Sequence, residues 1–211
     1  LQTHVTHSFS QYARRLDGDL VLLDHGDGYP RASTIRVIHG FYETPAGDEK
    51  PDGVFDVIPI PGKTGDPVTG MTVSGLEVGG GRALTTGISV PHGRSVAGVT
   101  GSSTRLVGNV YLTSTDLATG RTSFRWVTEI DPASKTTRAG EPRLVKISAD
   151  RYALLFTVYS KSRAPRMEYR LLDSTGKVQA THAWQNRNFA PVSQPVMAGN
   201  RLLWAGRSQR D

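Results

Sequence analysis

The sequence predicts an all-β chain built from serial four-stranded antiparallel meanders, the pattern of β-propeller blades. Three observations lead there. The chain of 211 residues holds 23 Gly and 12 Pro with abundant Ser and Thr, which suits short strands and frequent turns. Short apolar runs alternate with Gly-, Asn- and Asp-containing turns along its length. Four stretches, residues 9–27, 72–90, 141–160 and 191–208, can be set against one another as repeats.

Each stretch has a polar or small start, an apolar-rich segment, a tight turn and a second apolar segment. The turns fall at Asp17-Gly18, Gly79-Gly80-Gly81, Ala149-Asp150 and Gly199-Asn200. The segments that follow, "LVLL", "RALTT", "YALLF" and "RLLWA", are short and nearly continuous in apolar character, as strands buried on both faces are. A second hairpin follows each of the first three. In the first unit residues 33–43 and 53–60 flank a polar loop. In the second, residues 109–130 turn at Ala118-Thr119-Gly120, and in the third, residues 168–184 turn at Ser174-Thr175-Gly176. The expectation is one propeller portion over 1–211, with blade units at about 9–60, 71–130 and 141–184 and a half blade at 190–208. A helix over 148–161, with Ser148 as its N-cap, competes for one segment. It is set aside because the aligned segments carry Gly or β-branched residues and make poor helices. A plain β-sandwich is the structural alternative.

About three and a half blades leave an open sheet edge, and propellers protect their edges by closing. The sequence therefore predicts completion by a companion, either another propeller fragment or a second copy as a homodimer mate; two such halves would make seven blades. The other way to close is a four-bladed ring with Leu1–Phe9 as a makeshift outer strand. The blade pattern and the segment "LDHGDGYPR" (23–31) resemble secreted β-propeller proteins of the seven-bladed kind, bacterial and lower-eukaryotic. That resemblance implies a secreted, extracellular protein. It covers most of the chain at the level of repeats and brings no catalytic motif with it.

Composition narrows the chemistry. A formal net charge of +6 and a pI near 9.8 favour acidic partners, either an anionic small molecule or a polysaccharide. No Lys/Arg run has the length of a nucleic-acid tail and no stacking aromatics interleave the basic residues, so nucleic acid is disfavoured. The chain holds no cysteine, which excludes disulfides, CxxC zinc sites and thiol nucleophiles. No apolar run approaches the ~18 residues of a membrane-spanning helix, and no membrane partner is expected. Nucleophile-elbow, Walker and dinucleotide motifs are absent, and no cofactor is expected. "GGGR" (79–82) is read as a turn between strands.

Propeller geometry sorts the loops. Connections from the second to the third strand of a blade, and from one blade to the next, share one face. Those loops are basic: Arg31; His92 and Arg94; Lys161, Arg163 and Arg166; Arg207 and Arg210. The blade-to-blade connections add His4, His7, Arg138, Arg143, His182, Trp184 and Arg187. The hairpins on the opposite face concentrate acids, among them Asp17, Asp19, Asp116, Asp150 and Asp173, though bases are mixed in. The predicted function is an extracellular ligand-binding propeller with a basic loop face for an anionic or carbohydrate-like ligand. Its ligand residues would be Arg31, Asp27, His92, Arg94, Arg163, Arg166, Trp184 and Arg207: the arginines because the planar guanidinium bonds two oxyanion atoms at once, and Trp184 because it stands at a strand end before a loop, where its ring could stack on a sugar. One alternative is a propeller-fold lyase or hydrolase, with His25, His7 and Tyr29 as the catalytic set. Another is a protein–protein scaffold. Asp24 and Asp27 among glycines admit a Ca2+ loop, against which stands a simple turn in which the aspartates accept backbone N–H bonds.

Overall fold

The computed structural model describes residues 8–26, 33–40, 51–56, 72–89, 108–131, 133–185 and 193–205. They form an all-β structure of antiparallel sheets, with no helix among the described residues. The first sheet is the meander β1 (Ser8–Leu16), β2 (Asp19–Gly26), β3 (Ser33–Ile38) and β4 (Pro51–Asp56). The second is β5 (Thr72–Gly79), β6 (Arg82–Ser89), β7 (Asn109–Asp116) and β8 (Thr122–Trp126). The third begins with a short strand, β9 (Thr137–Ala139), followed by β10 (Arg143–Lys146), β11 (Arg151–Ser160), β12 (Arg166–Asp173) and β13 (Val178–Trp184). Its order is β10-β11-β12-β13, with β9 pairing the far end of β11. The hairpin β14 (Val196–Ala198) and β15 (Arg201–Leu203) makes a two-stranded sheet.

Turn chemistry explains the hairpins. Gly80 and Gly81 both have positive φ, 59° and 71°, which matches the right-handed twist of the flanking strands and is nearly free of steric cost in glycine. Asp17 is the one non-glycine residue with positive φ among the described residues, at 54°; aspartate tolerates that region better than most. The segment 151–160 is a strand and not a helix, as the comparison with its aligned partners predicts.

The sheets stack face to face in chain order through three apolar seams. Val21, Leu23 and Ile35 meet Val73, Leu76, Val78 and Tyr111 in the first. Leu84, Val110 and Leu112 meet Leu144, Leu154, Phe156 and Leu172 in the second. Val145, Leu155 and Met167 meet Met197, Leu202 and Trp204 in the third. Each fully buried side chain of this size contributes roughly 1.5–3 kcal/mol. The second and third sheets thus bury both faces, which is why their central strands read as continuous apolar runs.

The strands that open the main path of each sheet lie against one another: β1 on β5, β5 on β10, and β10 on β14. Glycine makes the middle approach possible, since a Cβ on Gly75 would stand 3.1 Å from Leu144 Cβ. Polar side chains stitch the same line. Lys146 Nζ donates to Val78 O at 2.8 Å and Tyr12 Oη donates to Val73 O at 3.2 Å. Arg14 grips Glu77 with two nitrogens, at 3.1 and 3.0 Å.

Two local features differ from the sequence reading. β2 runs through Gly26, so Asp24 and His25 are strand residues paired to Thr34 and Ser33 and not loop residues. The reason is Arg36 on β3, whose Nε lies 3.6 Å from Asp24 Oδ2 with both side chains almost fully buried. This pair lets a carboxylate continue the strand. β9 has no counterpart in the predicted units.

Candidate functional site

The strands have two kinds of end. At the hairpin end, carboxylates are held by donors of the turns, two of them of their own turn. Asp116 Oδ1 accepts hydrogen bonds from the Ala118 and Thr119 N–H groups and from Thr119 Oγ1. Asp173 Oδ1 accepts from Thr175 N–H, Thr175 Oγ1 and Lys177 N–H, and its Oδ2 accepts from Gln179. Asp19 accepts from Gly40 N–H and pairs His39 Nδ1 at 2.7 Å. All three carboxyls are held below their ordinary range. For Asp19 and Asp116 the leading cause is a backbone N–H bond, from Gly40 and Thr119 respectively. For Asp173 desolvation pushes upward, and the accepted hydrogen bonds together outweigh it.

At the loop end, Arg143 and Arg166 pair with Glu141 and Glu168, but three other cations have no ion pair among the described residues. β9 and the bend before it lie beside the end of β11 and enclose an open notch of about 290 Å³. Its lining is Ser134 to Arg138 and Tyr159 to Lys161. Lys161 N–H donates to Thr136 O at 2.8 Å, tying the two walls together. Ser134 Oγ accepts from the Thr136 and Thr137 N–H groups and shapes the bend. The Arg138 guanidinium sits 4.6 Å from the centre of the Tyr159 ring, a cation–π contact that holds the long side chain in place. Gly140 makes room for it, since a Cβ there would stand 2.9 Å from Tyr159 Cε2.

Lys135, Arg138 and Lys161 form no ion pair among the described residues, whereas nearby acids are committed elsewhere. Glu141 pairs Arg143 at 3.0 Å. Glu168 lies between Arg166 and Arg170. Asp131 accepts from the Ala133 N–H. The notch is therefore a concave surface with three uncompensated positive charges and the hydroxyls of Ser134, Thr136, Thr137 and Ser160. Such a surface attracts oxyanions and can bond the hydroxyls around them.

The residues predicted from sequence divide clearly. Arg163 is exposed in the bend that follows β11, at this same end. Arg166 starts β12 and is bound to the buried Glu168. Trp184 is half-buried, edge-on to Tyr169 and His182, and packs on the third apolar seam. Asp24 is the buried partner of Arg36. No group of three or more metal-ligating side chains occurs among the described residues. The backbone of His25 lies in β2, and its side chain lies outside the described residues. His7, Asp27, Tyr29, Arg31, His92, Arg94 and Arg207 also lie outside them. Lys135 was missed by sequence reasoning, while Arg138 and Lys161 were counted only as part of a basic background. Their shared signal is that both flank strand ends on the same predicted face.

No family model matches the chain, and no curated protein matches it. Among solved structures, the chain is similar at 12% identity to an ACO/RPE65 chimera in a monoclinic crystal form, covering 82% of this chain and 49% of that one with a TM-score of 0.29. Another structure of an ACO/RPE65 chimera gives 12% identity, the same coverages and a TM-score of 0.25. A mutant of Synechocystis apocarotenoid oxygenase (ACO) gives 12% identity over 92% of this chain and 52% of that one, with a TM-score of 0.27. The chain spans about half the length of these structures. Likeness this low says nothing about chemistry.

Proposed function

We propose that this chain is a propeller-type binding module that takes a small anionic ligand, such as an acidic saccharide, at its loop end. The propeller reading is supported by the adjacency of β1, β5, β10 and β14, which places the strand opening each sheet's main path along one line, as blades around an axis do. In this reading β14 and β15 begin a fourth blade. Strands from a second copy would continue it at β15, over the exposed pair Val196 and Leu203.

The observation that carries the functional reading is the notch: Lys135, Arg138 and Lys161 face one concavity with no carboxylate in its lining. Arg138 is already ordered by Tyr159, so less side-chain freedom is lost when an anion binds. The test is calorimetric titration of the chain with sulfate, phosphate and a uronate disaccharide at low salt. Binding should weaken at least tenfold, about 1.4 kcal/mol, in the double variant Arg138→Ala/Lys161→Ala. It should also weaken as salt rises, because an exposed site is screened. Unchanged affinity in that variant, or no binding of any of the three anions, would defeat the reading.

A further inference from the structure

A separate cationic cavity lies between the second and third sheets. It has a volume of about 80 Å³ and is lined by Leu112, Thr113, Ser114, Ser123, Phe124, Arg125 and Thr175. Arg125 lies opposite Leu112 on the β7–β8 ladder, and Leu112 belongs to the seam that faces the third sheet. From across that seam comes the β12–β13 turn. A Cβ on Gly176 would stand 3.2 Å from Leu112 Cδ2 and 3.7 Å from Arg125 Nη2, so the turn closes over the guanidinium.

Nη2 of Arg125 is buried and has no hydrogen-bond acceptor among the described residues. The side chain as a whole is only half-buried, so the cost falls on this one nitrogen, whose lost hydration is not replaced. Asp173 does not relieve it. That carboxylate interacts with Arg125 through its charge, but its oxygens are occupied by Thr175, Lys177 and Gln179. Arg170 opposes Arg125 as a like charge. Ser114 Oγ accepts from Arg82 Nη1 at 3.3 Å, which leaves its own O–H to donate.

We infer that this cavity is a binding site for a small monovalent anion of halide size, held by Arg125 Nη2 and the Ser114 hydroxyl. The depression is small and opens to solvent past Ser123, Phe124 and Thr175, and its two donors suit one small ion better than a sugar or a phosphate ester. The site is distinct from the loop-end notch and shares no residue with it.

The experiment is thermal unfolding of the whole chain at constant ionic strength, with sodium gluconate exchanged for sodium chloride, together with 35Cl line broadening. Wild type should gain roughly 2–4 °C in Tm with chloride and broaden the 35Cl line. Both effects should vanish in Arg125→Gln, while Arg125→Lys should retain part of the broadening. A wild-type Tm and line width indifferent to chloride would overturn the inference, as would an effect that persists in Arg125→Gln. If Arg125→Gln fails to fold, Ser114→Ala decides instead: its broadening should be weaker than wild type, and broadening equal to wild type would overturn the inference. The comparison of Arg125→Gln with its parent is made in the Arg138→Ala/Lys161→Ala background, which removes the notch's own attraction for chloride and separates this result from the fate of the notch.

Discussion

The hairpin end and the loop end of the sheets use charge in opposite ways. At the hairpin end Asp116 and Asp173 are held by N–H and O–H donors of their own turns, and Asp19 by Gly40 N–H and His39 from the turn after β3. At the loop end Lys135, Arg138 and Lys161 line a concavity that holds no carboxylate. Charge saturated within a turn stabilises that turn and has little left for a ligand. Charge left open contributes little to stability and is available for recognition. On the proposed reading, stability belongs to one end and binding to the other.

That division can be broken by substitution. The largest effect is expected at Gly176, which has φ of 81° and backs onto Leu84 and Leu112 at 3.3 and 3.2 Å from a would-be Cβ. Gly176→Ala combines left-handed backbone strain with crowding and should cost about 2–3 kcal/mol. The loss would be read as a Tm fall of roughly 4–12 °C, with anion binding at the notch intact. Next comes Asp173→Ala, whose exposed turn donors would pass to water, so it should cost about 0.5–1 kcal/mol, again without affecting the notch. Conversely, Arg138→Ala/Lys161→Ala should leave Tm within about 2 °C of wild type while anion affinity falls. If the double variant unfolds the protein, or Asp173→Ala abolishes binding, the division is wrong.

Acid sharpens the same contrast. Asp19, Asp116 and Asp173 have folded pKa values below their ordinary range. Each contribution to stability is thus full above the unfolded carboxylate value of about 3.9 and is lost as pH falls through the depressed folded values. Thermal unfolding from pH 6 to pH 2 should show Tm falling mainly below about pH 4. Asp116→Asn should flatten part of that fall. The effect is the smallest of the set, because these carboxylates are largely open to solvent.

Much of this fold was legible from local signals. Gly80-Gly81, Gly120, Gly176 and Gly199 all take positive φ, and each was marked as a turn by residue type alone. Alignment across repeats also decided between helix and strand at 151–160, where periodicity within the segment left both open. Long-range pairing was not legible. Asp24 is polar and flanked by glycine-rich sequence, yet it stays in β2 because Arg36 on the next strand neutralises it. Likewise "TRA" at 137–139 carries no strand signature and is ordered by Val158, Tyr159 and Ser160. The notch depends on that pairing, so sequence could place Arg138 and Lys161 on one face but could not bring them together with Lys135. Trp184 shows the reverse case: a strand-end position suggested an exposed platform, and the ring packs on Tyr169 and the third seam.

The most direct measurement is a map of amide chemical-shift changes while a uronate disaccharide is titrated at constant chloride. Binding at the notch predicts that the largest changes fall on residues 134–138 and 159–161 and that the turns at 117–121 and 174–177 stay still. Changes centred on those turns, or none anywhere in the chain, would contradict it.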